Sequence, residues 1–179
     1  MPITGVRVTN CVYIEDARGS FQKVHHSESP SGEWGRLAEV FLTESQRGVI
    51  RGMHLQWGTC STPKFIKCIE GNVLDVLLDL RPESDTYLNI ETFELSGGDP
   101  RTITMPPGIA HGYQVTSKSA MVLYGTEVNW CSKCDIGINP MSLLYEWPIQ
   151  ESKVSERDAD LPTLKAYLLA NQSSGGVWH

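Results

Sequence analysis

Residues 64–80 read Lys64-Phe65-Ile66-Lys67-Cys68-Ile69-Glu70-Gly71-Asn72-Val73-Leu74-Asp75-Val76-Leu77-Leu78-Asp79-Leu80. Two apolar runs of strand length flank a Glu70-Gly71-Asn72 turn signal, so two successive strands are expected. In the second run Leu74, Val76, Leu78 and Leu80 fall on one face, and Val73, Asp75, Leu77 and Asp79 on the other. Apolar side chains on both faces predict a strand covered on both sides. A carboxylate on such a face must be paired or put to use, because burying it alone is costly.

Outward from these two strands the same kind of segment recurs. Strands are expected over Leu37–Thr43, Gly48–Gln56, Leu88–Leu95, Arg101–Met105, Ala110–Val115 and Ala120–Val128, with turn signals at Gly97-Gly98-Asp99 and Pro106-Pro107-Gly108. Many short strands at this spacing predict a sandwich or barrel rather than βαβ units. The tail reads as a short helix, with Asp160 as a cap, Pro162 in the first turn and Leu161, Leu164 and Leu168 on one face. Residues 173–176 are expected to fray. With no repeat and no low-complexity linker, residues 1–179 are expected to form a single all-β domain.

Composition narrows the function classes. Lys and Arg number 15 against 21 Asp and Glu, a formal charge of −6 with no basic cluster, which argues against nucleic-acid binding. No apolar run approaches the ~18 residues of a membrane span, and MPITGVRVTN at the start lacks the features of a secretory signal. A cytoplasmic protein without a membrane partner is expected. The cysteines Cys11, Cys60, Cys68, Cys131 and Cys134 are odd in number and scattered, as for reduced thiols. Cys131-Ser132-Lys133-Cys134 has the spacing of half a metal or redox site, but no nearby His or second pair completes it in sequence, so these are expected to be incidental thiols.

Alternation also aims polar groups inward. His54 and Gln56 share a strand face with Ile50 and Gly52, and His111, Tyr113 and Val115 share another. With Asp75, three strands direct polar groups into an apolar barrel mouth, the layout of a small-molecule pocket. A lone strand His is more often a hydrogen-bonded structural residue than a catalyst; the convergence, not any single residue, points to function. A metal-dependent barrel oxygenase is the competing class. It would place two His one residue apart, whereas this chain reads His54-Leu55-Gln56, and the adjacent His25 and His26 point to opposite faces. No metal site is therefore expected.

The run Gly48-Val49-Ile50-Arg51-Gly52-Met53-His54-Leu55-Gln56 resembles the signature of the dTDP-4-dehydrorhamnose 3,5-epimerase family. Lys64-Phe65-Ile66, Glu70 to Val76, Asp79-Leu80-Arg81, Pro106 to Gly112, Asp16 to Phe21, Gly137-Ile138, Trp147-Pro148 and Ser155-Glu156-Arg157-Asp158 continue the resemblance in order. It implies a cupin-like jelly roll (double-stranded β-helix), a homodimer, no cofactor, and epimerisation at C3 and/or C5 of a nucleotide-diphosphate 4-keto-6-deoxyhexose in deoxysugar biosynthesis. By resemblance His54 is the base, Asp158 its orienting carboxylate and Lys64 the cation that stabilises charge on the C4 oxygen. His111 with Asp75 matches a second pocket pair. Arg18, Arg51, Gln56 and Arg157 match substrate-binding positions, guanidinium groups being suited to phosphate oxygens. Strict alternation nevertheless puts Arg51 on the face opposite His54.

The chain departs from the family pattern at Trp130, which stands where the family has its tyrosine acid. Indole N–H is a hydrogen-bond donor and not a useful acid. Trp130 is expected to stack on substrate, and Tyr113 is expected to serve as the surrogate acid. The alternatives are epimerisation at one carbon only, and an inactive nucleotide-sugar-binding jelly roll. Lys23, Glu39, Phe41 and Met141 also differ from the family around the nucleotide end. The carrier expected from the resemblance is dTDP, with CDP, UDP and GDP as alternatives.

Overall fold

A computed structural model of the chain describes residues 1–25 and 37–173. His26 and residues 174–176, which carried expectations above, lie outside the described residues. The described strands are β1 (Arg7–Asn10), β2 (Val12–Asp16), β3 (Gly19–Lys23), β4 (Glu39–Gln46), β5 (Ile50–Gln56), β6 (Lys64–Glu70), β7 (Asn72–Asp79), β8 (Ile90–Ser96), β9 (Arg101–Met105), β10 (Ile109–Val115), β11 (Ser119–Thr126) and β12 (Asp135–Gly137). Two short helices follow, α1 (Glu156–Ala159) and α2 (Leu164–Ser173). The strands form two five-stranded antiparallel sheets, ordered β1-β9-β6-β11-β4 and β12-β5-β10-β7-β8, plus the β2-β3 hairpin. This is the expected all-β jelly roll with a short C-terminal helix.

Both strands of the Lys64–Leu80 stretch form, but β6 pairs with β9 and β11 in one sheet and β7 with β10 and β8 in the other, so the turn between them carries the chain from sheet to sheet. Gly71 makes that turn at φ +74°, and a Cβ there would sit 2.0 Å from the Ser119 carbonyl oxygen, so only glycine fits. The two faces of β7 serve two different cores. Val73 and Leu77 join Ile66, Ile103, Val115 and Val122 between the sheets. Val76, Leu78 and Leu80 join Ile50, Met53, Leu55 and Ala110 on the outer face, where Ile138, Leu143, Trp147 and Tyr167 cover them. The chain after β12 is thus a lid over the second sheet, and it explains why β7 is apolar on both sides. Asp79, on the inner face, is fully paired: its carboxylate accepts from Arg81, Ser84 and Thr86. Burial alone would raise this carboxyl, but those donors outweigh it and hold it at about 2.

Several local expectations change, among them β4, which runs Glu39–Gln46 rather than 37–43, and three others. The tail helix starts at Leu164 with the Thr163 hydroxyl accepting from the Ala166 N–H, while Asp160 instead closes the C-terminal end of α1. β8 starts two residues later than expected, because Leu88 sits at φ +64° in the turn before it and its N–H bonds the Asp79 carbonyl. Strand β5 carries the largest change. Its pairing with β10 runs His111 to His54 but Tyr113 to Arg51, so β5 holds one extra residue at Gly52-Met53. Gly52 adopts φ +131°, and a Cβ there would lie 2.5 Å from the Gly112 Cα. The bulge reverses the side-chain parity along β5. Ile50 therefore faces the outer core rather than sharing the face of His54, and Arg51 turns inward.

Candidate active site

Eight of the residues singled out from sequence line one cavity of about 470 Å³ at the mouth of the barrel: Arg51, His54, Gln56, Lys64, His111, Trp130, Arg157 and Asp158. β5 supplies His54 and Gln56, with Arg51 brought round by the bulge. β6 supplies Lys64 at its first residue and β10 supplies His111. Asp158 arrives from α1, whose first turn is capped by the Ser155 hydroxyl accepting from the Asp158 N–H. That cap fixes the helix end so that the carboxylate points at β5.

The His54 Nε2 lies 2.7 Å from Asp158 Oδ1, and the other Asp158 oxygen accepts from the Gly52 N–H at 3.3 Å. Burial pushes the Asp158 carboxyl up, but the His54 hydrogen bond and the Gly52 N–H overcome it, leaving the group below the usual carboxylate range. An ionised carboxylate only accepts, so the His54 Nε2–H donates to it. The free basic nitrogen of His54 is then Nδ1. The β5 bulge has a double role here: it exposes the Gly52 N–H to Asp158 and it puts Arg51 in the cavity.

A second imidazole–carboxylate pair lies deeper. His111 Nε2 is 2.5 Å from Asp75 Oδ1, and both side chains are buried. The other Asp75 oxygen has no hydrogen-bond partner among the described residues. Lys64 lines the same cavity, its ammonium 3.5 Å from the His54 carbonyl oxygen. Burial lowers Lys64 to about 8, with Asp135 and Asp75 pulling partly against the shift. A half-buried cation lining the same cavity as His54 and His111 is well placed to meet negative charge that develops on a ligand.

The mouth of the cavity has its own polar frame. The Trp130 indole N–H donates to Asp135 Oδ2 at 3.0 Å, and Arg157 donates to the same oxygen at 2.6 Å. The Trp130 backbone N–H donates to Glu39. Trp130 is 60% exposed, so its ring forms part of the cavity rim and not of the core. Gln56 accepts from the Cys131 N–H through Oε1, while its buried Nε2 has no partner among the described residues. That amide is a donor available to a bound ligand.

Three expected site residues do not line the cavity: Asp75 is buried and bonded to His111, and the other two lie elsewhere. Tyr113 faces inward as its parity predicts, but it is fully buried and does not line the cavity; its hydroxyl bonds Thr43 and Ser45. Arg18, exposed at the β2-β3 turn and paired with Asp16, does not line the cavity of its own chain. Conversely, the cavity wall includes Tyr124, which sequence reasoning did not select. Its ring stacks on Phe41 at 4.7 Å and meets His111 edge-on at 5.8 Å. Burial raises its phenol well above the ordinary value, so it stays protonated. The two flagged departures Glu39 and Phe41 also line this wall, whereas Met141 does not. The fold further brings Cys60 to the Cys131–Cys134 turn, a third thiol that no spacing in sequence announces.

A jelly roll whose mouth holds a carboxylate-bonded imidazole, a lysine lowered by burial and two arginines has the groups that proton transfer next to a carbonyl on an anionic substrate requires. The sequence pattern described as dTDP-4-dehydrorhamnose 3,5-epimerase matches residues 1–166. The chain belongs to that family. Among its relatives is a dTDP-4-dehydrorhamnose 3,5-epimerase from Streptomyces griseus, 31% identical over 90% of this chain and 84% of the relative. A dTDP-4-dehydrorhamnose 3-epimerase from Streptomyces niveus is 32% identical over 90% of this chain and 78% of the relative. In structure the chain resembles a 4-keto-6-deoxy sugar epimerase from the novobiocin gene cluster of Streptomyces spheroides. That likeness has a TM-score of 0.88 at 28% identity, over 99% of this chain and 89% of the other. Among the described residues no helix is long and apolar enough to cross a membrane.

Proposed function

We propose that the protein epimerises a dTDP-linked 4-keto-6-deoxyhexose at C3, at C5 or at both. The observation that carries the reading is the His54–Asp158 pair facing the same cavity as Lys64. A ketone at C4 acidifies the protons on its two neighbouring carbons. His54 Nδ1 takes one of them, and Asp158 stabilises the imidazolium that forms. The electron pair moves onto the C4 oxygen, where Lys64 balances the charge. A proton delivered to the opposite face then gives the epimer and regenerates the ketone. Tyr124 supplies that proton, being the phenol at the cavity wall; Tyr113 is engaged inside the core. Arg51, Arg157 and the Gln56 amide hold the diphosphate and sugar at the rim.

The test is NMR of dTDP-4-keto-6-deoxyglucose with the protein in D₂O, following the C3 and C5 protons separately. Loss of one or both signals is expected, and the pattern shows how many carbons react. Persistence of both signals, with dTDP and with CDP, UDP or GDP carriers, would leave the alternative that Trp130 suggests, a protein that binds nucleotide sugars without turning them over. Tyr124→Phe should slow net epimerisation about 10²-fold, the usual worth of a general acid. Tyr113→Phe should instead keep the rate and lower stability by about 1 kcal/mol, the worth of its internal hydrogen bonds. The reverse pattern would return the acid role to Tyr113.

We propose further that the chain works as a homodimer in the cytoplasm. The β2-β3 hairpin exposes Tyr13, Ile14 and Phe21, and β4 exposes Val40 and Leu42, apolar area that a second copy would cover. Arg18 sits at the tip of that hairpin and would reach a cavity across such an interface. Five free thiols suit a reducing compartment. Sedimentation velocity at micromolar concentration should give twice the chain mass; a monomer there removes this part of the reading.

A further inference from the structure

Outside the sugar site, the most concentrated metal-ligating chemistry among the described residues is a group of three thiols. Cys60 lies in the turn that follows β5, and Cys131 and Cys134 lie in the turn that precedes β12. Their sulfur atoms all fall within 4.8 Å of one another, although Cys60 is separated from the other two by most of the barrel in sequence. We propose that Cys60, Cys131 and Cys134 bind one Zn²⁺ ion beside the mouth of the cavity.

The geometry supports an ion in four respects. Tetrahedral zinc with bonds of about 2.3 Å requires ligand sulfurs about 3.8 Å apart. The cluster is already near that size: Cys60 and Cys134, now 2.7 Å apart, need to open by about an ångström. Secondly, the Cys131-x-x-Cys134 segment is a tight turn, closed by the Cys134 N–H donating to the Cys131 carbonyl at 3.1 Å. The backbone N–H groups of Lys133 and Cys134 also hydrogen-bond the Cys131 sulfur, which offsets the negative charge of a ligating thiolate. Thirdly, the donor set is all sulfur, a soft set that selects zinc or copper(I) over magnesium, calcium or manganese. Fourthly, all three cysteines are half-buried, so an ion has a path in while the sulfurs remain partly shielded. Three thiols supply three of four positions and leave the last for water. Binding releases the thiol protons to solvent as the metal–sulfur bonds form.

The other two cysteines offer no such arrangement. Cys68 is buried and Cys11 bonds Thr102. A Cys60–Cys134 disulfide is the rival use of the cluster. It would employ two of the three sulfurs and leave aside Cys131, the one toward which the backbone N–H groups point. The ion would also stiffen the rim, because the Cys134 carbonyl accepts from the Trp57 N–H and the Cys131 N–H donates to Gln56.

The test uses the full chain, kept reduced with a phosphine, stripped with a chelator and titrated anaerobically with Co²⁺ as a spectroscopic stand-in for zinc. One equivalent should bind with a sulfur-to-cobalt charge-transfer band and the visible bands of four-coordinate cobalt, and Zn²⁺ should displace it. Cys60→Ser, Cys131→Ser and Cys134→Ser should each weaken binding by about tenfold or more, while Cys11→Ser leaves it unchanged. Added Zn²⁺ should raise the melting temperature of the wild type and not of Cys60→Ser. Absence of the charge-transfer band, or a band that survives Cys60→Ser, overturns the site. A Cys60–Cys134 disulfide in protein purified without reductant, together with no cobalt binding, replaces it with a redox pair.

Discussion

Replacing His54 with alanine is expected to slow deuterium exchange at the sugar carbons by about 10² to 10⁴-fold, the range that a positioned general base contributes. Binding of the nucleotide sugar should survive, because the guanidinium groups and the Gln56 amide remain in place at the rim. His54 is only half-buried, so the substitution opens no deep void and the fold should hold. The informative companion is Asp158→Asn. An amide can still meet the imidazole, but it cannot offset the positive charge that forms on proton transfer. Its rate should fall as well, with binding retained. Exchange within a few-fold of wild type in His54→Ala would remove His54 as the base whatever the fate of Asp158.

Lys64→Met is the second large effect, and its sign differs between rate and stability. Loss of the cation facing the C4 oxygen should lower kcat by about 10² to 10³-fold, as removal of an oxyanion-stabilising donor does. Stability should rise. Burial sets the folded-state value at about 8, below the unfolded value, so folding disfavours the ionised form. That cost, on the order of 1–3 kcal/mol, is fully present below pH ~8 and fades between about 8 and 10.5 as the folded protein gives up the proton first. The stability advantage of Lys64→Met should therefore be largest at neutral pH and shrink in alkali. In the wild type the rate should fall as pH rises through about 8, since only the ammonium balances an enolate. A Lys64→Met protein that is less stable at pH 7, or a wild-type rate that is flat from pH 7 to 9, would remove Lys64 from this role.

Much of the barrel was legible because burial writes itself into sequence as alternation. β6 and β9 fall on their expected residues, and the two-faced pattern of β7 anticipates the covering layer outside the second sheet. The N-terminal strands left no such trace. Every residue of β2 is exposed, and β3 is exposed at all but Gln22, so neither face is under pressure to be apolar. Parity alone gives the wrong side for Arg51, because one extra residue at Gly52-Met53 inverts every assignment beyond it; the paired glycines Gly52 and Gly112 were the local signal. For Tyr113 parity gave the right face but not the depth along the barrel, and depth separates a core hydroxyl from one that meets a ligand. Tyr124, on β11 of the other sheet, reaches the wall instead. Cys60 carried no signal at all, because its partners are brought to it only when β12 pairs with β5.

The pairing of His54 with Asp158 also has a consequence for the order in which the enzyme becomes competent. Both sheets apart from β12 are drawn from residues up to Thr126, so nearly the whole barrel is available to fold before residue 158 has been synthesised. The Asp158 carboxylate comes last, on a single helical turn that must dock against the finished β5. A nascent chain short of that turn thus has the strands but neither the completed cavity wall nor the carboxylate beside His54. On the proposed mechanism, activity begins with the arrival of that turn.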